Sequence, residues 1–278
     1  MQNNIISNNG NDNVIENRGT ITLKSGTIDS IDAKASTINN YSGGTVIVDG
    51  VDIAAAGERQ AIYNYGGTVE IKGNSIISSN TNGKAPSETG SLPRGTIQNF
   101  AKGTLTIKTG TIIATESYAI VNSANSTVTI GEKDGSVDIS SPIIKGESYG
   151  VKNVATLNFY DGTIKGIKGA VEGKITDKEV DTQEINGTEV IDSKTYKTLH
   201  LASTSSPTSN VGQNGTLNQN NTQSNKLSIP SRVTNALGNF VANNKSRIST
   251  IILIITIIIM TMIVITIFLF KKSRNNKK

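Results

Sequence analysis

Apolar and polar residues alternate in short bursts along the first two-thirds of the chain, and a glycine-rich turn ends each burst. Thr45-Val46-Ile47-Val48, Thr68-Val69-Glu70-Ile71, Thr104-Leu105-Thr106-Ile107 and Thr127-Val128-Thr129-Ile130 are of this kind. A period of two belongs to a strand with one buried face. The branched Val, Ile and Thr suit a pleated surface, and the frequent glycines would break helices. The pattern therefore predicts an all-β architecture of short strands.

These bursts belong to a larger unit that recurs six times. An apolar residue leads to an asparagine, then a Gly/Thr-rich bend, an alternating strand, a glycine turn and a second short apolar strand. The cleanest copy is Ala61-Ile62-Tyr63-Asn64-Tyr65-Gly66-Gly67-Thr68-Val69-Glu70-Ile71-Lys72-Gly73. Asn17, Asn40, Asn64, Asn99, Asn122 and Asn153 mark the copies, at steps of 23, 24, 35, 23 and 31 residues. A base period of 23 or 24 with two insertions is what a solenoid gives, because extra residues leave a coil as loops without disturbing the stacking. The insertions, Ser79 to Arg94 and Gly131 to Pro142, have loop compositions. Leucine-rich repeats share the period but need leucine at fixed positions, where this chain has isoleucine and valine.

Three short strands per coil, stacked at about 4.8 Å, predict a parallel β-helix over residues 14–175. Alternation puts Ile21, Leu23, Val46, Val48, Val69, Ile71, Leu105, Ile107, Val128, Ile130, Leu157 and Phe159 inside as two adjacent columns. The asparagine column reads as a structural ladder. Asparagine tolerates the left-handed conformation of a tight bend, and stacked carboxamides hydrogen-bond along the stack. Gly26, Gly50, Gly73, Gly110 and Gly162 read as turn residues. Gly66-Gly67 is a bend and not a phosphate loop, because no helix follows to supply a dipole. Residues 1–13 are a polar N-terminal segment. After Gly162-Thr163-Ile164 the pattern decays into the charged residues 176–201, which read as a polar end coil that stops further stacking.

The coils Asn-Tyr-Gly-Gly-Thr-Val-Glu-Ile-Lys-Gly and Asn-Phe-Ala-Lys-Gly-Thr-Leu-Thr-Ile-Lys-Thr-Gly resemble repeats of Gram-positive, clostridial-type surface and adhesin-like proteins. The closing Ile191-Asp192-Ser193-Lys194-Thr195-Tyr196-Lys197-Thr198 shares the resemblance, which covers roughly residues 14–200. It implies a right-handed parallel β-helix with pectate-lyase-like coils, displayed at a cell surface. It says little about the ligand, since one repeat architecture hosts many functions.

From Ile251 to Phe270 no residue is charged, and the run consists of Ile, Leu, Val, Met and Phe with interspersed threonines. Twenty helical residues reach about 30 Å, the hydrocarbon thickness of a bilayer, so residues 249–270 are predicted to span a membrane and contact its lipid. Residues 202–248 are predicted to be a disordered linker: Ser203 to Asn225 is mostly Ser, Thr, Asn, Gln and Gly, too polar to bury a core. Five cations crowd residues 271–278, against only Lys245 and Arg247 just before the span. Positive flanks stay cytoplasmic, which places the basic tail inside and the repeats outside the cell. Export would call for a leader, and Met1-Gln2-Asn3-Asn4 opens a polar stretch without one. Two expectations stand: the chain is a fragment whose start lies further upstream, or it is tail-anchored with the solenoid in the cytoplasm.

Charge changes the picture once it is divided. The net charge is +5, but all 22 acidic residues precede residue 193, and 18 of the 27 Lys and Arg precede residue 200. The repeat region therefore carries 18 − 22 = −4. The basicity belongs to linker and tail, which removes the support for a nucleic-acid partner. Without cysteine there is no disulfide, metal thiolate or cysteine nucleophile, and no cofactor is expected.

Polysaccharide-cleaving β-helix enzymes make catalysis a hypothesis to weigh. Inverting hydrolysis needs two carboxylates spaced for a water. The acids here fall singly or across turns, as Asp29 and Asp32, Asp49 and Asp52, and Asp134 and Asp138. Arginine is sparse in the repeats, and His200, the single histidine, lies in the end cap, so no catalytic residues are assigned. Two hypotheses remain: an adhesin-like module that binds glycans or surface proteins, and a carbohydrate-processing protein, active or reduced to binding. Tyr41, Tyr63 and Tyr65 are the candidate ligand-binding residues, since rings beside the Asn64 bend suit sugar stacking; packing along the stack is their other reading.

Overall fold

The computed structural model describes residues 5–8, 12–30, 35–56, 59–80 and 94–204. The 249–270 span, the basic tail, the linker after residue 204 and positions 81–93 of the first insertion lie outside the described residues. Among the described residues no helix is long and apolar enough to cross a membrane.

After β1 (Ile5–Asn8), each coil supplies three strands. The first holds β2 (Ile15–Asn17), β3 (Thr20–Lys24) and β4 (Thr27–Ser30); the second β5 (Ile38–Tyr41), β6 (Thr45–Asp49) and β7 (Asp52–Ala55). The third holds β8 (Ile62–Tyr65), β9 (Thr68–Lys72) and β10 (Ile76–Ser79); the fourth β11 (Gly95–Phe100), β12 (Thr104–Ile107) and β13 (Thr111–Ala114). The fifth holds β14 (Tyr118–Asn122), β15 (Thr127–Ile130) and β16 (Ile143–Gly146); the sixth β17 (Tyr149–Asn153), β18 (Thr156–Phe159) and β19 (Thr163–Gly166). Then follow β20 (Gly169–Glu172), β21 (Asp177–Lys178), β22 (Thr182–Ile191) and β23 (Lys194–Ser203).

The strands form three sheets, each joining equivalent strands of successive coils. Sheet 1 runs β1-β4-β7-β10-β13-β16-β19-β23-β22, sheet 2 runs β2-β5-β8-β11-β14-β17-β20, and sheet 3 runs β21-β18-β15-β12-β9-β6-β3. Pairing is parallel throughout except at β19–β23 and β22–β23. This is the stacked, parallel arrangement of a β-helix.

Register carries the core. Ile21, Val46, Val69, Leu105, Val128 and Leu157 share one column of sheet 3, and Leu23, Val48, Ile71, Ile107, Ile130 and Phe159 share the next. From Val46 and Val48 onward these side chains are fully buried. Ile21 and Leu23, in the first coil, are only partly covered. Sheet 1 adds Ile28, Ile53, Ile77, Ile112, Ile144 and Ile164, and sheet 2 adds Ile38, Ile62, Ile97 and Ile120. A slip by one residue in β9 or β12 would exchange a core residue for a threonine or charge.

Two ends of the solenoid differ from the sequence expectation. Within the polar residues 1–13, β1 pairs with β4 and sets Ile6 against Ile28, extending sheet 1 by one strand. At the other end, residues 176–201 do not make a further polar coil. β21 adds to sheet 3, and β22 and β23 form an antiparallel hairpin whose Leu199 pairs with Ile164. Leu199 and Leu201 close the core, while β22 presents Glu184 and Glu189 along the free edge. Reversing the chain direction and charging the edge both oppose continued parallel stacking.

The hairpin is also held by charge. Lys165 Nζ lies 2.5 Å from Glu189, Lys194 pairs with Glu147, and the Tyr196 hydroxyl donates to Glu147 at 2.8 Å. Burial first, and the adjacent Glu147 second, push the Tyr196 phenol well above its ordinary range, so it stays protonated and keeps donating.

Candidate functional site

The asparagines lie at the same height in every coil of sheet 2, so their carboxamides meet. Asn17 Nδ2 donates to Asn40 Oδ1 at 2.8 Å, Asn40 to Asn64 at 2.9 Å and Asn64 to Asn99 at 2.8 Å. The chain continues from Asn99 to Asn122 at 3.1 Å and from Asn122 to Asn153 at 2.8 Å. Asn153 Nδ2 ends it on the carbonyls of Ala155 and Lys174. Each interior rung also donates to the carbonyl at the head of the sheet 3 strand in the following coil, as Asn99 does to Thr127 at 2.9 Å.

One part of the expected reason is corrected. None of these six asparagines has positive φ; they end strands or sit within them. The left-handed positions fall in the following bends, at Gly43, Gly66, Ala101, Lys102 and Asn125. An extended backbone is what points the carboxamide inward at the corner, where it adds a second donor to turn carbonyls such as those of Gly19, Gly44, Gly67 and Gly103.

That inward asparagine sends its two neighbours outward. On one side, Asn39 pairs in register with Tyr63 and Tyr63 with Gln98; on the other, Tyr41 pairs with Tyr65 and Tyr65 with Phe100. Tyr41, Tyr63 and Tyr65 therefore share the outer face of sheet 2. Phe100 lies against both of the latter, its ring centroid 4.7 Å from that of Tyr63 and 4.7 Å from that of Tyr65, tilted at 60° and 69°. Arg18, one place after Asn17, lays its guanidinium 3.9 Å over the Tyr41 ring. Position Asn+1 is thus Arg18, Tyr41, Tyr65 and Phe100 in four successive coils, a column of π surfaces.

Sequence reasoning missed Arg18 and Phe100. Both stand directly after a ladder asparagine, and that shared offset was the available signal. Tyr65 is 44% exposed, and Tyr41, Tyr63 and Phe100 are half-buried. Burial, then the neighbouring Tyr65, pushes the Tyr63 phenol upward, so its hydroxyl is a donor at neutral pH. Asn39 Nδ2 donates to the Tyr41 hydroxyl at 3.0 Å, and Gln60 donates to Gln98. Rings edged with carboxamides and hydroxyls suit a ligand with C–H faces and many hydroxyls.

Elsewhere the candidate chemistry is dispersed. Asp49 closes β6 and Asp52 opens β7, across the Gly50 turn. Asp134 and Asp138 each accept from the serine two residues on, Ser136 and Ser140. Asp161 accepts the amides of Glu132 and Asp138 at 2.9 and 2.7 Å and so pins the second insertion. A depression of about 440 Å³ beside that insertion is lined by Lys108, Lys133, Asp134 and Tyr160. Lys108 pairs with Glu132 and Lys133 with Asp177 there. His200 lies in β23 opposite Ile185. Among the described residues no group of three or more His, Cys, Asp or Glu is placed to hold a metal. No protein-family model, curated protein or solved structure matches the chain.

Proposed function

We propose that this chain is a membrane-anchored cell-surface protein whose β-helix is a non-catalytic, adhesin-like glycan-binding module acting through the outer face of sheet 2. The column Arg18, Tyr41, Tyr65 and Phe100, with Tyr63 beside it, is the observation that carries this reading. An aromatic surface maintained across three coils, on a fold that already has a separate aliphatic core, exceeds what stability requires. A repeat of about 4.8 Å along the stack offers successive contacts to a chain of sugars.

A panel of immobilised glycans tests it directly. The full-length chain, kept in detergent, is expected to bind a subset of the panel, and Tyr65→Ala to weaken that binding about tenfold by removing one stacking ring. Binding that survives Tyr65→Ala and Tyr41→Ala unchanged would remove this face from the reading. Reducing ends released from a bound polysaccharide would favour the carbohydrate-processing alternative.

Placement rests on the apolar run 249–270, the polar linker before it and the cations of 271–278. Protease added to intact cells that express the native gene with its upstream sequence is expected to remove the repeats and spare the tail. Neutralising the five tail cations is expected to give mixed orientation. A solenoid protected in intact cells would instead support a tail-anchored protein facing the cytoplasm.

A further inference from the structure

Arginine use on the solenoid is uneven. Lysines make ion pairs along the solenoid, as in Lys72–Glu70, Lys108–Glu132, Lys152–Glu172 and Lys165–Glu189. Arg18 and Arg59 have no carboxylate partner among the described residues, and both stand at the aromatic face. Arg18 is exposed and covers Tyr41; Arg59 is half-buried and directly precedes Gln60, whose carboxamide donates to Gln98, the register partner of Tyr63. β5, β8 and β11 contain no acidic residue, and Glu16, in register with Asn39 in the first coil, accepts from Asn13.

A guanidinium stacked flat on a ring keeps its N–H edge free for in-plane bidentate contact with a carboxylate or sulfate, which a lysine ammonium cannot reproduce. Arg18 over Tyr41, with Arg59 just ahead of β8, makes a site for alternating apolar faces and negative charges. The repeat region as a whole carries −4, so this local excess is not a by-product of a basic domain. Resting on the glycan reading above, we infer that the ligand is an anionic polysaccharide. Its sugar rings stack on Tyr65, Tyr63 and Phe100, and its carboxylate or sulfate substituents are held by Arg18 and Arg59.

Dextran, carboxymethyl-dextran and dextran sulfate share one backbone and separate charge from sugar. The full-length protein in detergent is expected to bind the charged forms more tightly than dextran, with an affinity that falls as salt rises. Arg18→Gln and Arg59→Gln are each expected to weaken charged-dextran binding about tenfold, the worth of one hydrogen bond to a charged group. Arg18→Lys should recover little of that loss, and thermal melting checks that each variant folds. A preference for the carboxymethyl form assigns the substituent as a carboxylate, and the reverse as a sulfate. Equal affinity for all three polymers overturns the anionic ligand and leaves the glycan reading standing. Charged-polymer binding unaltered in both arginine variants places it on other cations of the chain and overturns the inference. If neither these polymers nor the immobilised glycan panel is bound, the glycan reading itself falls.

Discussion

Asn99→Ala is expected to lower the unfolding free energy by about 3–5 kcal/mol and the melting temperature by roughly 6–20 °C, the largest single-residue effect foreseen in the solenoid. Asn99 is fully buried, accepts from Asn64 at 2.8 Å, and donates to Asn122 at 3.1 Å and to the carbonyls of Gly103 and Thr127 at 3.1 and 2.9 Å. Alanine withdraws all four contacts from an interior that water does not reach. Buried groups that lose a partner cost far more than the net worth of a hydrogen bond. The position in the stack sharpens the test. Asn17 is the first rung among the described residues and accepts from the Gly19 amide, so Asn17→Ala is expected to cost about 1 kcal/mol, since stability in a solenoid is shared between nearest neighbours. Thermal or urea unfolding of both variants measures the difference. Equal, small losses at Asn17 and Asn99 would mean that the carboxamides act as independent turn caps and not as a cooperative ladder.

Gly67→Ala is expected to destabilise by about 2–4 kcal/mol although its backbone is not left-handed. A Cβ built on Gly67 would lie 2.2 Å from Asn40 Nδ2, 2.7 Å from the Tyr41 carbonyl and 2.8 Å from the Gly44 carbonyl. Two of those three obstacles are backbone and cannot swing aside, and the third is a ladder rung. Gly43 is the natural control. It has φ of +82° but open space around a built Cβ, so Gly43→Ala carries only the left-handed penalty of about 1 kcal/mol. The glycines that follow the ladder asparagines are thus of two kinds, one for conformation and one for room. Unfolding measurements on both variants that put Gly43→Ala above Gly67→Ala would reverse this assignment.

Much of the site was within reach of sequence. The steps between asparagines located every rung, because a hydrogen-bonded column must recur once per coil. Tyr41, Tyr63 and Tyr65 could be placed on one face because they flank Asn40 and Asn64. Phe100 and Arg18 escaped notice for a physical reason: one sits after a 35-residue step that hides its alignment with Tyr65, and the other is not aromatic. Their place becomes evident only when register sets Phe100 beside Tyr65 and Arg18 over Tyr41.

By itself the sequence determined the strand period, the number of coils, the inward columns of sheet 3 and the asparagine positions. All of these follow from local alternation and from a repeat that each coil must satisfy to stack on the next. It also determined the apolar run at 249–270 and the division of charge between repeats and tail. Only the tertiary structure decided that β1 extends sheet 1, that β22 and β23 close the core as an antiparallel hairpin, and that Gly67 is small to make room for Asn40. Those features depend on which atoms meet across coils distant in sequence. Composition and periodicity describe each coil alone, whereas ends, caps and shared space belong to the stack.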